Sequence, residues 1–190
     1  MEFLELPLAG ARLVRLQHVA DARGFFARAF CVDEFAAAGL TTEFPQQSLA
    51  RSERAGTLRG MHLQLEPHAE AKLVRCVRGR IFDAIVDLRP DSPTFKQSCA
   101  VELDEESGDA LFVPAGFAHG YQTLVDRTDV FYAMSARYAP TSARSIRWND
   151  RALQIAWPHP EPTLSESDRA APNLEDFLRD RAHAHAAPNR

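Results

Sequence analysis

Apolar and polar positions alternate along most of the chain in short bursts rich in β-branched and aromatic residues. Gly, Pro, Asp and Ser separate the bursts, as in an all-β sandwich or barrel. Residues 11–19 read as a strand, and Asp21-Ala22-Arg23-Gly24 as a turn leading into Phe25-Phe26. Asp33-Glu34-Phe35-Ala36-Ala37-Ala38 predicts a short helix stopped by Gly39. Strands follow at 73–77 and 81–88, on either side of Arg78-Gly79-Arg80. In the second, Phe82, Ala84, Val86 and Leu88 alternate with Ile81, Asp83, Ile85 and Asp87, so one face belongs to the core and the Asp83 face is expected to line something wetter. Segments 98–103, 110–113, 121–124, 129–135 and 145–148 complete a jelly-roll count of strands. After Pro158 the chain is rich in Pro, Ser and charge, with one helix expected at 173–182. The expected architecture is a mainly all-β jelly-roll sandwich over residues 1–180 with a few short helices, mostly C-terminal, followed by a mobile polar tail at 181–190.

Composition narrows what this fold could serve. With 190 residues, 45% hydrophobic and 25% charged, the chain has the profile of one domain with its own core. Its 22 basic and 26 acidic residues are interspersed, which speaks against a nucleic-acid track or a membrane-surface patch, so an anionic ligand should be small. Cys31, Cys76 and Cys99 are odd in number and widely spaced, and read as buried free thiols rather than a disulfide framework or metal site. The N-terminus lacks a signal-like basic start and apolar run, so a reducing cytoplasm is the expected compartment.

Two stretches carry candidate chemistry. Gly56, His62, Gln64, Glu70 and Gly79 resemble the first cupin motif, and Pro114, Gly116 and His119 the second. Cupins gather a histidine pair, a glutamate and a third histidine around a metal, but here Gln64 takes the second histidine's place and is a poor transition-metal ligand. An unmetallated His62 is free to act as acid or base. A lone histidine in a strand is ordinarily a core residue held by backbone hydrogen bonds; Arg59 before His62 and Lys72 after it favour a site. His183 and His185 sit on the expected frayed terminus and read as non-ligating.

From Arg23-Gly24-Phe25-Phe26 to Leu164-Ser165-Glu166-Ser167-Asp168 the chain resembles the dTDP-4-dehydrorhamnose 3,5-epimerase family. The matching motifs are Gly56-Thr57-Leu58-Arg59-Gly60-Met61-His62, Ala71-Lys72-Leu73-Val74-Arg75, Asp87-Leu88-Arg89, Ser92-Pro93-Thr94-Phe95, Pro114-Ala115-Gly116-Phe117-Ala118-His119-Gly120, Trp148-Asn149-Asp150 and Trp157-Pro158. The resemblance implies a cupin-like, metal-free, cofactor-free jelly-roll homodimer that exchanges its N-terminal strand and epimerises a nucleotide-linked 4-keto-6-deoxyhexose. It implies His62 as base, Asp168 as its partner, Tyr132 as acid on the opposite face and Lys72 beside the developing oxyanion. It also implies substrate contacts from His119, Arg59 and Arg23 on the diphosphate, with Arg23 serving the neighbouring subunit, Tyr138 stacking on the base, and Gln46 and Ser48 at polar contacts. Asp83 could orient one of these groups.

Several positions depart from the family pattern. Arg28, Ala133, Ala143 and Ser167 stand where the family often has Glu, Lys, Glu and a basic residue, and Ser48 replaces an asparagine. Reaction type therefore carries over better than substrate identity. A single-carbon epimerase stays open, as do a metal-dependent cupin enzyme using His62, Glu70 and His119 and a sugar-binding cupin without activity.

Overall fold

The structure, a computed structural model, describes residues 1–186, with side chains as far as Ala182. Two antiparallel sheets form the body. The first runs β1 (Glu2–Glu5), β2 (Arg12–Arg15), β10 (Ala110–Val113), β7 (Lys72–Arg78), β12 (Thr128–Met134) and β5 (Gln46–Ser52) in spatial order. The second runs β13 (Ala143–Ser145), β6 (Leu58–Gln64), β11 (Phe117–Thr123), β8 (Arg80–Asp87) and β9 (Ser98–Asp104). β3 (Val19–Asp21) and β4 (Gly24–Phe26) pair apart as an exposed hairpin.

Strand alternation sorts the side chains into three apolar clusters. Val74, Cys76, Leu111 and Val130 of the first sheet meet Ile81, Ile85, Leu103 and Tyr121 of the second in the core between the sheets. Outside the first sheet, Phe35 of α1 (Val32–Ala37) packs on Leu73, Ala110, Phe112 and Ala133. Outside the second, Leu174 and Phe177 of α3 (Leu174–Ala186) cover Met61, Leu63, Val86 and Leu88. Burying one such side chain contributes on the order of 2 kcal/mol, so the middle of each sheet is covered on both faces without a large helical layer.

The expected wet face of β8 is therefore corrected. Ile81 and Ile85 lie in the core between the sheets and Val86 and Leu88 beneath α3, so both faces of β8 are core, and Asp83 is a fully buried carboxylate. The strand expected at 11–19 is β2 followed by the start of the β3–β4 hairpin, and that expected at 121–124 starts earlier, at Phe117. β1, β5 and β6 were not expected as strands. Cys76 is buried, whereas Cys31 and Cys99 are only partly so.

Helix α3 begins where Asp150 Oδ2 accepts the Leu174 N–H at 2.6 Å, which gives the aspartate of Trp148-Asn149-Asp150 a capping task. It runs to Ala186, beyond the expected start of a tail at 181, and Arg181 Nη1 donates to the Leu88 carbonyl at 2.6 Å. Residues 187–190 and the side chains of His183 and His185 lie outside the described residues. No described helix is long and apolar enough to cross a membrane.

Candidate active site

Two adjoining cavities, of about 860 and 570 Å³, open beside the polar ends of β5, β6, β7 and β12. His62, Lys72, Tyr132 and Ser167 line both and so stand at their junction. Opposite walls supply them, His62 from the five-stranded sheet and Lys72 and Tyr132 from the six-stranded one.

On β6, Met61 and Leu63 point outward beneath the C-terminal elements, and alternation leaves His62 and Gln64 facing the cavity. His62 Nε2 lies 2.5 Å from Asp168 Oδ1. That aspartate sits on α2 (Glu166–Arg169), whose N-cap Ser165 accepts the Asp168 N–H at 3.1 Å and donates its hydroxyl to Asp168 Oδ2 at 2.8 Å. Burial alone would raise the carboxyl, but His62, Ser165 and the Gly60 N–H outweigh it and hold Asp168 below the usual carboxylate range. An ionised Asp168 obliges Nε2 of His62 to donate, leaving Nδ1 with the lone pair.

Lys72 Nζ is 3.3 Å from Glu70 Oε1, and both side chains are nearly buried. Gln64 is a hydrogen-bond hub. Its Nε2 shares two N–H groups among Glu70 Oε2 at 3.0 Å, the His68 carbonyl at 3.0 Å and the Arg137 carbonyl at 3.2 Å, while its Oε1 accepts the Ala139 N–H at 2.6 Å. The position where a cupin would carry its second histidine thus fixes the 137–139 segment. His119 Nε2 pairs with Asp83 Oδ1 at 2.6 Å, so each histidine turns a nitrogen to its own carboxylate, and Glu70 is taken up by Lys72 and Gln64. Among the described residues no three His, Cys, Asp or Glu side chains converge as a metal site.

Tyr132 meets His119 edge-on, with ring centres 6.1 Å apart, and lies 6.2 Å from Tyr121. Burial first, and then Tyr121, push the Tyr132 phenol well above its ordinary value, so it keeps its proton at neutral pH. A base with a free lone pair, a protonated acid from the facing sheet and a cation on the same wall as that acid suit removal and return of a proton next to a carbonyl.

The expected binding residues divide between the cavities. Arg59 and His119 line the smaller one. Gln46, Ser48 and Tyr138 line the larger, where Gln46 Oε1 accepts the Tyr138 N–H at 2.9 Å. Arg23 is not brought to either: it projects from the β3–β4 turn, 89% exposed, bound to the Asp21 carboxylate at 2.5 Å. The departures divide too. Ala143 and Ser167 line the larger cavity, but Ala133 faces away beneath α1, and Arg28 pairs with Glu34 at 3.0 Å. Sequence reasoning missed Thr163 and Ser165 in the smaller cavity and Phe177 and Asp180 in the larger. Ser165, three residues before Asp168, carries a helix N-cap spacing that would have found it.

A family model described as dTDP-4-dehydrorhamnose 3,5-epimerase matches residues 5–176. A dTDP-4-dehydrorhamnose 3,5-epimerase of Sinorhizobium fredii is 41% identical over 175 residues, 92% of this chain and 90% of that protein. The crystal structure of the Bacillus anthracis dTDP-4-dehydrorhamnose 3,5-epimerase with TDP and PPi bound superposes with a TM-score of 0.89 at 40% identity, covering 91% of this chain and 99% of that one. ChmJ, a 3'-monoepimerase from Streptomyces bikiniensis in complex with dTDP-quinovose, gives a TM-score of 0.86 at 35% identity over 93% and 89% of the two chains. Agreement in sequence along nearly the whole length, in fold and in the cupin-like jelly roll leads to one assignment: the chain belongs to the dTDP-4-dehydrorhamnose 3,5-epimerase family.

Proposed function

We infer that this protein is an isomerase that inverts C3 and C5 of dTDP-4-dehydro-6-deoxy-D-glucose, giving dTDP-4-dehydro-L-rhamnose. The observation that carries the reading is the junction of the two cavities, where the His62–Asp168 pair faces Tyr132 from the opposite sheet with Lys72 beside it. The C4 ketone acidifies the hydrogens on both neighbouring carbons. His62 Nδ1 takes a proton from the carbon, the C–H electron pair becomes the enolate, and Asp168 stabilises the imidazolium. Lys72 stabilises the enolate oxygen. Tyr132 then gives its hydroxyl proton to the other face of the carbon, and the ketone re-forms. A well-placed general base contributes on the order of 10²–10⁴ in rate.

Arg59 holds the diphosphate and His119, oriented by Asp83, contacts the sugar. Gln46, Ser48 and Tyr138 hold the nucleoside, with Tyr138 stacking on the base. Arg23 reaches a neighbour's site in a homodimer that exchanges N-terminal strands, which suits its exposure and its absence from the lining of its own chain's cavities. Unpaired cysteines suit a reducing cytoplasm.

The test is incubation with dTDP-4-dehydro-6-deoxy-D-glucose in D₂O, following the two carbons by NMR. Deuterium at both C3 and C5 is the expected result. Deuterium at one carbon would place the protein with single-carbon epimerases such as ChmJ. Exchange at neither would overturn the reading.

A further inference from the structure

One buried titratable group stands behind this machinery and takes no part in the reaction as described. Tyr121, on β11, is 1% exposed, and its hydroxyl has no hydrogen-bond partner among the described residues. Native proteins seldom bury a hydroxyl unpaired, because the lost hydration is not returned. The Tyr121 ring lies 6.2 Å from that of Tyr132, at a tilt of 48°. The Tyr132 and Ser52 hydroxyls, the Arg59 guanidinium and the Asp83 carboxylate all act on the Tyr121 phenol, which burial nevertheless keeps protonated. Ser52 is itself buried, and its Oγ accepts from Arg59 Nε at 3.4 Å at the edge of the smaller cavity.

Proton accounting gives this hydroxyl a task. Each inversion moves one proton from carbon to His62 and one from Tyr132 to carbon, and leaves an imidazolium and a phenolate. A second inversion on the same bound sugar needs both groups reset. His62, with 43% of its side chain exposed, can lose its proton to water. Tyr132 lines the same cavities but is the more deeply buried of the two, burial being what raises its phenol, so it recovers a proton less simply.

Resting on the function inferred above, we propose that Tyr121 is a positioning residue for Tyr132 that restores its proton between the two inversions. The Tyr121 O–H bond breaks, its proton goes to the Tyr132 phenolate oxygen, and the electron pair stays on Tyr121. Tyr121 is reprotonated past Ser52 by water or a buffer acid from the Arg59 end of the smaller cavity. The two hydroxyls lie outside hydrogen-bond geometry, and the transfer requires a small closing movement of the kind catalytic contacts make as they tighten.

The experiment compares the wild type with Tyr121→Phe in D₂O, reading the initial exchange at each carbon and its dependence on buffer concentration. The variant keeps the ring and deletes an unpaired hydroxyl, so its melting temperature should equal or exceed that of the wild type. The first carbon to exchange should keep its rate within about threefold, the second should slow at least tenfold, and added imidazole buffer should restore the second alone. Ser52→Ala should show the same pattern in weaker form, and serves if Tyr121→Phe does not fold. Equal rates at both carbons in wild type and variant, or a uniform loss that buffer does not restore, would overturn the proposal. Absence of exchange in the wild type would instead strike the functional reading on which it rests.

Discussion

Asp168 shows how one carboxylate can set the state of a site. It receives His62 Nε2, the Ser165 hydroxyl and the Gly60 N–H together, all of them donors. An asparagine in its place would turn an NH₂ toward one of these donors and remove the charge that balances an imidazolium. Asp168→Asn should therefore lower kcat by roughly 10²–10⁴ while dTDP affinity stays within about threefold. Steady-state kinetics with dTDP inhibition checks this, and a loss confined to KM would refute the assigned role. Asp87 shows the same chemistry used for stability alone. Burial opposes its charge, but Arg89, Ser92, Thr94 and the Arg89 N–H hold its pKa at about 2, against an ordinary 3.8. The folded state binds this proton less readily than the unfolded chain does, so the stabilisation is complete above pH 4 and disappears as pH falls toward 2. It amounts to about 2 kcal/mol. Acid titrations monitored by circular dichroism should show this fall, and Asp87→Asn should be less stable at pH 7 and lose less between pH 4 and pH 2.

Elements whose inner faces are mainly apolar could be read from the pattern, β7 and β12 among them although each sends a residue to the cavities, whereas β5 and β6, with mainly polar inward positions, could not. β8 alternates Ile81, Asp83 and Ile85 with Phe82, Ala84 and Val86, and α1 has good formers with Gly39 behind it, so both were expected nearly in place. β5 turns Gln46, Ser48, Ala50 and Ser52 inward beside Tyr132 and Met134, and reads as a polar loop because its inner face borders the larger cavity rather than a dry core. β6 is disguised in the same way by His62 and Gln64, and further by Gly60. Its strands meet tightly there: Gly60 has φ +137°, and a Cβ at that position would lie 2.5 Å from the Gly120 Cα and 3.0 Å from the His119 carbonyl. The His62–Asp168 pairing came from family motifs, since periodicity alone does not bring a strand and a distant helical turn together. Gly60→Ala must push β6 from β11, which pairs His119 with His62, and should cost about 2–4 kcal/mol. Activity should fall with it, because the displaced strand carries His62 and the Gly60 N–H supports Asp168. A denaturant midpoint within error of the wild type would show that the strands absorb the methyl group, contrary to this geometry.

At the scale of the whole molecule, the described chain covers the middle of both sheets yet leaves apolar groups exposed at their margins. On the β3–β4 hairpin, Val19 is 71% and Phe26 76% exposed, and Arg23 stands at its turn and lines neither cavity of its own chain. Leu49 on β5, 63% exposed, offers a second apolar spot on the outer face of the six-stranded sheet. A two-fold exchange would bury such groups and deliver Arg23 to the partner's diphosphate, since a two-fold interface repeats every contact in both directions. Complementation tests this without a structure of the dimer. His62→Ala lacks the proposed base, Arg23→Ala lacks the proposed diphosphate contact, and each variant, as the proposed homodimer, should be nearly inactive at low substrate concentration. If Arg23 acts across the interface, the mixed dimer joins an intact His62 in one subunit to an intact Arg23 from the other. Random exchange of equal amounts makes half the dimers mixed, each with one working site of two, so activity should recover to about a quarter of the wild type. If Arg23 served its own chain, every site would lack one of the two residues and mixing would recover nothing. Separate His- and Strep-tagged preparations, mixed after mild dissociation and assayed before and after reassociation, distinguish the two results.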